Sequence, residues 1–308
     1  MKYILVFFSL ILSFLLIEIF VRVFVDNGMN YEIEMQKYAI NLKKISNNPL
    51  IGIEHKKNKK IKLMGAEIIL DTYGFRNEYK FKNTNKKILM LGDSMTFGWG
   101  ARKPFSNLIN EKFTNIDIIN AGIGNTNTIM QIENFFSNQK NLFNYDVIIL
   151  NFFINDLEKV EVKKINYIKK YSLSYTYLSN KFSSLFIKNN LNDDWEKFYK
   201  KNFLNKIFLE ETLKQIERLN TYCKEKNIKF YIHNIPELRN LKNYPFKEET
   251  EIIKNYALKN NIRFLDSFSA LSREKEESLW VSTSDSHAND KAHKIIANYL
   301  INQIDELK

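Results

Sequence analysis

The chain has 308 residues, 44% of them hydrophobic, with 9 Gly and 4 Pro. This length and apolar content suit one large folded domain and exclude a collagen-like or broadly disordered chain. The formal net charge of +11 could attract phosphate, but the lysines are scattered along the sequence. No finger, basic zipper or aromatic RNA-binding motif accompanies them, so we expect no nucleic-acid partner, whereas attraction to anionic glycans or lipid headgroups stays open.

The amino terminus is predicted to be a membrane helix. Residues 4–17 carry no charge, and apolar character continues past Glu18 and Arg22 up to Val25. A helix of this length reaches about 33 Å, which matches a bilayer core of about 30 Å. Glu18 and Arg22 lie four residues apart near its end, where they can pair at the interface. Because no small-x-small cleavage site follows, an uncleaved anchor through residues 4–25 is favoured over a cleaved signal peptide.

Residues 26–85 are polar and mixed, and we interpret them as a juxtamembrane lead-in with a small hairpin that includes AEIIL at 66–70. A domain over residues 86–308 follows, in which apolar runs alternate with amphipathic helices. Its predicted strands are 88–92, 116–120, 146–153, 228–235 and 262–266. Residues 157–204 interrupt this rhythm and are predicted to be a helical insertion over the sheet.

This alternation predicts an α/β fold with a central parallel sheet, three-layer α/β/α, in the flavodoxin-like order. Ligands of such sheets bind beyond the carboxyl ends of the strands. The first strand leads into Gly92-Asp93-Ser94, the second into a glycine pair that ends at Gly124, and the third into Asn155. Asp285 and His287 are expected one loop after the fifth strand. A hydroxyl, an imidazole, an acid and oxyanion donors are what a serine hydrolase needs.

Three of these segments resemble sequence blocks of the SGNH, or GDSL, hydrolases. Gly92-Asp93-Ser94 resembles their GDS block, Asn155 their block III Asn, and Asp285-Ser286-His287 their C-terminal block. The resemblance covers roughly residues 86–305. Segments 235–246 and 279–293 are similar to the membrane-anchored bacterial branch, which has an N-terminal helix and an extracytoplasmic esterase-like domain.

The resemblance implies a role for each residue. Ser94 would be the nucleophile, and its backbone N–H, Gly124 and the Asn155 amide would form the oxyanion hole. His287 would act as base and then as acid, and Asp285 would orient its ring. Without the resemblance, Ser94 and Asp285 would be interpreted as helix N-caps and Asn155 as a turn amide.

The chain departs from the family pattern in three places. Asn125 occupies the usual block II glycine position, so either Gly124 or Asn125 supplies the second donor. Phe153 replaces the glycine of block III. The catalytic Asp and His are separated by one residue instead of two, whereas Asp290 and His293 keep the longer spacing and form the alternative pair.

The other candidate groups are interpreted as structural. His55 is expected on the surface, and His233 at the end of the fourth strand ranks second to His287 as base. Cys223 is the single cysteine, which excludes an intramolecular disulfide, and we expect a packing role for it. No His and carboxylate set has zinc-ligand spacing, so neither a metal nor a cofactor is expected.

The predicted function is therefore a serine-dependent acyl-ester hydrolase, an esterase or carbohydrate deacetylase, that acts at the cell envelope through an acyl-Ser94 intermediate. Its substrate would be an acylated small molecule or a cell-envelope glycan. An O-acetyltransferase that modifies such a glycan is the alternative, and a catalytically silent glycan-binding or assembly protein is the third. The resemblance implies a single-pass protein of the bacterial inner membrane with an extracytoplasmic domain, although the lysines after the helix favour the opposite orientation.

Overall fold

The computed structural model describes residues 2–78, 82, 84, 86–188 and 195–307, and it begins with a long apolar helix. Helix α1 spans Lys2–Phe20 and continues through a π-helical turn over Val21–Val25. Nearly all side chains of α1 are exposed. Among the described residues this helix alone is long and apolar enough to cross a membrane, and its position near the amino terminus also suits a signal sequence.

The predicted lead-in contains one helix and two small antiparallel sheets. These elements are α2 (Tyr31–Asn41), β1 (Lys43–Ile45) paired with β2 (Ile53–His55), and β3 (Lys59–Leu63) paired with β4 (Ala66–Leu70). The hairpin expected around residues 66–70 is β3–β4. Its two turn residues, Met64 and Gly65, have φ angles of 47° and 74°, as a two-residue hairpin loop with positive φ at both positions requires.

The central sheet has five parallel strands. They are β5 (Lys86–Leu91), β6 (Ile116–Asn120), β7 (Val147–Phe152), β8 (Lys229–Asn234) and β9 (Arg263–Asp266). Their order is β6-β5-β7-β8-β9, which is the flavodoxin-like order. Every residue of β6 and β7 is buried, because helices cover both faces of a parallel sheet. The predicted three-layer α/β/α fold is confirmed.

The domain also contains helices and one further hairpin. They are α3 (Ser94–Phe97), α4 (Phe105–Lys112), α5 (Thr128–Asn134), α6 (Tyr167–Tyr171), α7 (Leu173–Lys188), α8 (Trp195–Phe203), α9 (Lys206–Glu225), α10 (Lys247–Lys259), α11 (Phe268–Leu271), β10 (Trp280–Ser282), β11 (Asp285–Ala288) and α12 (Asp290–Gln303). Helix α4 packs against α12, and α5 packs against α9. Right-handed crossovers place these two pairs on opposite faces of the sheet.

The helix expected between the first two strands is divided into α3 and α4. Gly98 ends α3 with φ 81°, and Gly100 follows with φ 73°. Both angles are left-handed, which ends a helix, and Pro104 then precedes the first turn of α4. The division leaves a loop over residues 98–104 directly after α3, the short helix that begins at Ser94.

The part of the predicted insertion that forms α6 and α7 does not lie over the sheet. Helices α6 and α7 pack instead against α2 and the end of the N-terminal helix. The Glu18 carboxylate accepts hydrogen bonds from the backbone N–H groups of Leu173 and Ser174, both at 3.0 Å. Arg22 pairs with Glu18 at 2.7 Å, as expected, and also donates to the Tyr171 carbonyl at 3.0 Å. Residues 189–194 of the insertion lie outside the described residues.

A buried arginine of the lead-in holds the loop after α3. Arg76 is 1% exposed, and its guanidinium donates to the carbonyls of Phe97 (2.9 Å), Gly98 (2.6 Å) and Ala101 (2.8 Å). It also pairs with Glu78 at 3.1 Å. These carbonyls are left over where α3 ends, and buried carbonyls without a donor are costly. The planar guanidinium of Arg76 therefore supplies hydrogen-bond donors to turn carbonyls that have no partner in the sheet.

We expect Arg76→Lys to lower the free energy of unfolding by about 3 kcal/mol, because one ammonium cannot reach three carbonyls and a carboxylate. Guanidinium unfolding of the full-length protein in nonionic detergent measures the change. Arg273→Lys is the matched control, since Arg273 is exposed. Equal stability of the two variants would contradict the role given to Arg76.

Candidate active site

The nucleophile candidate lies in a tight turn from strand to helix. Ser94 is the first residue of α3, and the Asp93 carboxylate caps that helix by accepting from Met95 N at 2.8 Å. A Cβ at Gly92 would lie 2.0 Å from Thr96 Oγ1, so only glycine lets α3 approach the strand this closely. The Gly-Asp-Ser sequence thus presents the Ser94 side chain beyond the carboxyl end of β5.

Ser94, His287 and Asp285 form one continuous chain of hydrogen bonds. His287 Nε2 lies 3.0 Å from Ser94 Oγ, and His287 Nδ1 lies 2.6 Å from Asp285 Oδ1. The second oxygen of Asp285 accepts from Trp99 Nε1 at 2.9 Å. This is the order hydroxyl, imidazole, carboxylate that activates a serine.

Asp285 and His287 lie on strand β11 and not in the loop expected after the fifth strand. Residues two apart on a strand point to the same face, so the one-residue spacing brings both side chains to the same side. Burial raises the pKa of the Asp285 carboxyl, but hydrogen bonds from His287 and Trp99 outweigh burial and hold the pKa below its ordinary value. The acid is therefore an ionised carboxylate at neutral pH.

Asn155 follows β7 in a 3-10 turn over Ile154–Leu157 and lines the same cavity as Ser94. Asp156 fixes this turn, because its fully buried carboxyl accepts from Phe153 N (2.9 Å) and Gln131 Nε2 (2.8 Å). Burial raises the pKa of Asp156 well above its ordinary value, and the nearby Asp93 raises it further. Asn155 is thus held beside Ser94, and its side chain hydrogen-bonds to the Asp93 carboxyl.

Gly124 also reaches the cavity, but its amide has a partner. Gly124 N donates to Tyr38 Oη at 2.9 Å, and Tyr38 Oη lies 2.7 Å from His55 Nε2. His55 Nδ1 lies 3.1 Å from the Gly74 carbonyl, which can only accept, so Nδ1 carries the proton. Tyr38 therefore donates to His55 Nε2 and accepts from Gly124. Asn125, the other candidate donor, has φ 61° and lines the cavity beside it.

The expectation that His55 lies on the surface is wrong. It is 6% exposed, and burial lowers its pKa to about 3, so the ring stays neutral. We call the hydrogen-bonded chain Gly124–Tyr38–His55–Gly74 the relay. The surface interpretation rested on its position before the predicted domain. The lead-in instead packs against the domain, since Tyr38 and Leu42 share an apolar cluster with Phe97 and Trp99.

The other two histidines are buried away from Ser94. His293 is on α12, where its Nδ1 accepts from Phe105 N at 3.2 Å and its ring stacks on Phe105. His233 lies between Asn151 Oδ1 (2.8 Å) and Ser267 Oγ (2.5 Å). Burial lowers the pKa of each ring to about 3. Of the four histidines, the structure brings His287 to Ser94.

The cavity at Ser94 has a volume of ≈ 170 Å³ and a wall that sequence reasoning missed. Tyr31, Met35 and Tyr38 of α2 contribute this wall. They are spaced i, i+4 and i+7, so the helical period of α2 was the available signal. Tyr199 and Arg239 also line the cavity, and Arg239 pairs with Glu237 at 2.5 Å. Within the part of the chain that is described, no group of three His, Cys, Asp or Glu side chains could hold a metal ion.

No protein-family model matches the chain, and no curated protein matches it by sequence. Solved structures do resemble it. A protein assigned to the G-D-S-L lipolytic family of Desulfitobacterium hafniense is 17% identical over 71% of this chain and 99% of its own, with a TM-score of 0.47. An acetylxylan esterase of Geobacillus stearothermophilus, solved as a catalytic mutant, is 13% identical over 72% and 95%, with a TM-score of 0.47. The acetyl xylan esterase AlAXEase is 17% identical over 71% and 99%, with a TM-score of 0.44.

The first of these proteins is named as lipolytic and the other two as acetyl xylan esterases. The G-D-S of the first protein's family name is also the sequence of residues 92–94.

We expect Tyr38→Phe to lower the free energy of unfolding by about 1–3 kcal/mol, because it leaves His55 Nε2 buried without a donor. Guanidinium unfolding of the full-length protein measures the loss. Tyr167→Phe removes the same hydroxyl from a side chain that is 76% exposed and should leave stability unchanged. A Tyr38 variant as stable as this control would show that the relay contributes nothing to folding.

Proposed function

We propose that the chain is a serine acyl-ester hydrolase with Ser94 as nucleophile, His287 as general base and acid, and Asp285 as the group that orients the imidazole. The observation that carries this proposal is the hydrogen-bonded chain Ser94–His287–Asp285 at the mouth of a cavity. A serine that serves only as a helix cap needs no imidazole at 3.0 Å, and an imidazole that serves only in packing needs no buried carboxylate behind it.

In acylation, Ser94 Oγ attacks the ester carbonyl while His287 Nε2 takes the hydroxyl proton. The resulting imidazolium is stabilised by Asp285, whose lowered pKa keeps it ionised. The tetrahedral intermediate collapses when the bond to the leaving alcohol breaks and His287 returns the proton to that oxygen. The product of this half-reaction is acyl-Ser94 and a free alcohol.

In deacylation, water takes the place of the alcohol. His287 removes a proton from the water as it attacks the acyl carbonyl, and then protonates Ser94 Oγ as the carboxylic acid leaves. No external oxidant or metal is needed to balance either step.

The oxyanion hole is assigned to Ser94 N–H and the Asn155 amide. Gly124 N–H, the second donor implied by the family resemblance, is engaged by Tyr38 Oη and can serve only when that bond opens. A preorganised donor typically contributes several kcal/mol to transition-state stabilisation. A Gly124 amide released by Tyr38 would add a third donor to these two.

The substrate class is inferred from the walls of the cavity. Its small volume suits a short acyl group such as acetyl. Tyr31 and Tyr199 line the cavity with aromatic rings, and aromatic faces pack well against sugar rings. An O-acetylated glycan, or an acylated small molecule of similar size, fits this site.

The place of action is the cell envelope. Residues 4–25 would remain as a single-pass anchor in the bacterial inner membrane, with the catalytic domain outside the cytoplasm. The exposed apolar surface of α1 supports the anchor, since such a surface requires lipid or a partner to cover it.

We expect Ser94→Ala to abolish turnover of small acetyl esters and His287→Ala to lower the acylation rate about 10³-fold or more. Asp285→Asn should lower it less than His287→Ala, because Asp285 orients the ring and does not transfer the proton. Pre-steady-state acylation by an acetyl ester measures all three, with thermal unfolding to confirm that each variant folds.

His293→Ala is the matched control, since it removes a second buried imidazole of the same domain. It should lower the melting temperature through the lost Phe105 contact while the folded enzyme still acylates. A folded His293 variant that cannot acylate, beside an active His287 variant, would transfer the base to His293. Unchanged turnover in Ser94→Ala would remove the enzymatic proposal altogether.

We also expect residues 4–25 to stay attached to the mature protein. Mass spectrometry of the membrane-extracted chain should recover the N-terminal peptide, and protease added to intact spheroplasts should digest the catalytic domain. A soluble form that begins after Val25 would contradict the anchor. Digestion only after lysis would place the domain in the cytoplasm.

A further inference from the structure

A second cavity, which we name the lysine cavity, lies beside the catalytic one. It has a volume of ≈ 430 Å³, and its lysines are Lys43, Lys44, Lys56, Lys163, Lys164 and Lys170. Lys43 and Lys44 lie on β1 and Lys56 follows β2, whereas Lys163 and Lys164 precede α6 and Lys170 lies on it. Lysines that are scattered in the sequence therefore converge in the fold.

The positive charge of this cavity is only partly neutralised. One carboxylate, Glu161, lines it and pairs with Lys163 at 2.6 Å, and Lys44 pairs with Glu54 at 2.7 Å. Within the described part of the chain, the remaining four lysines form no ion pair. Burial and the positive charges of Lys59 and Lys170 lower the pKa of Lys56. Repulsion of this kind is relieved when an anion enters.

Lys43, which also lines the lysine cavity, likewise lacks a negatively charged partner. Its ammonium lies 4.3 Å from the centre of the Tyr38 ring, and no carboxylate of the described residues pairs with it. Burial lowers its pKa to about 7. A partly buried ammonium with only an aromatic face as partner is costly unless a ligand supplies the counter-charge.

The lysine cavity adjoins the catalytic cavity. Asn125 lines both of them, and its neighbour Gly124 faces Ser94. The Tyr38 ring carries Lys43 on its face and reaches the catalytic cavity with its hydroxyl. A molecule with its ester carbonyl at Ser94 can thus extend past Asn125 into the lysine cavity, where Ile45 and Val162 add apolar surface.

We propose that the lysine cavity binds an anionic group, a phosphate or carboxylate, that belongs to the acylated substrate itself. The proposal rests on the proposed function and makes it narrower: the enzyme prefers acylated molecules that carry a negative charge close to the ester. The adjoining position of the two cavities favours the substrate over an unrelated anion.

The test compares two acetyl esters that differ in one group, an O-acetylated neutral oligosaccharide and its uronic-acid counterpart. With the full-length protein in zwitterionic nanodiscs at low salt, kcat/KM should be about tenfold higher for the anionic ester, since a charged hydrogen bond contributes at least about that factor. The double variant Lys43→Met and Lys164→Met should remove this preference. The control is Lys214→Met with Lys294→Met, which removes equal charge from exposed residues outside both cavities and should retain it.

Binding is measured separately from turnover. In the Ser94→Ala background, calorimetry should show the anionic ester binding about tenfold more weakly to the Lys43 and Lys164 double variant than to the control pair. This readout tests the lysine cavity even where no ester is turned over, so a failure of the proposed function is told apart from a failure here. Equal binding to both double variants, or equal kcat/KM of the parent for both esters, would overturn the proposal.

Two competitors distinguish the source of the anion. Inorganic phosphate should inhibit turnover of the anionic ester more than that of the neutral one. Nanodiscs that contain phosphatidylglycerol should leave the preference intact. If this lipid instead abolishes the preference in the parent, the lysine cavity holds a lipid headgroup and the assignment to the substrate is wrong.

Discussion

The contact between Trp99 and the Asp285 carboxylate depends on a buried guanidinium that belongs to a different part of the chain. Where α3 ends in left-handed glycines, its carbonyls turn inward, and Arg76 of the lead-in donates to three of them. The same loop carries Trp99, whose indole N–H binds the Asp285 carboxylate. Without Arg76 the loop would have to open to find water, and Trp99 would move with it. Through Arg76, the lead-in therefore supports the loop that binds Asp285 and does more than connect the domain to a helix.

Helix α2 extends this dependence to the membrane-proximal end of the chain. One face of α2 supplies Tyr38 to the catalytic cavity, while α2 also packs against α7 of the insertion. Helix α7 begins at the Glu18 carboxylate, so the N-terminal helix, the insertion and the cavity wall are in continuous contact. Glu18 and Arg22, at the end of the apolar helix, thus have hydrogen-bond partners within the protein.

Sequence patterns were sufficient for features that depend on local periodicity. The five strands were predictable as short apolar runs between helices, and Ser94 and Asn155 were placed correctly at strand ends because parallel strands share one functional edge. The contacts made by lead-in residues were not predictable in this way. Arg76 and His55 are ordinary polar residues in a mixed segment, and their burial arises from packing against residues far along the chain. The insertion was misplaced for the same reason, since Glu18 alone reveals nothing about a serine more than 150 residues away.

The spacing of Asp285 and His287 shows how local structure can replace a motif. In a loop or helix, Asp and His need a particular number of intervening residues to converge, and the family pattern has two. On strand β11 one intervening residue suffices, because side chains alternate between faces and Asp285 and His287 fall on the same one. The pair Asp290 and His293 keeps the family spacing, yet α12 directs Asp290 to Arg102 and buries His293 against Phe105. The backbone conformation, more than the count of residues, decides which imidazole reaches the serine.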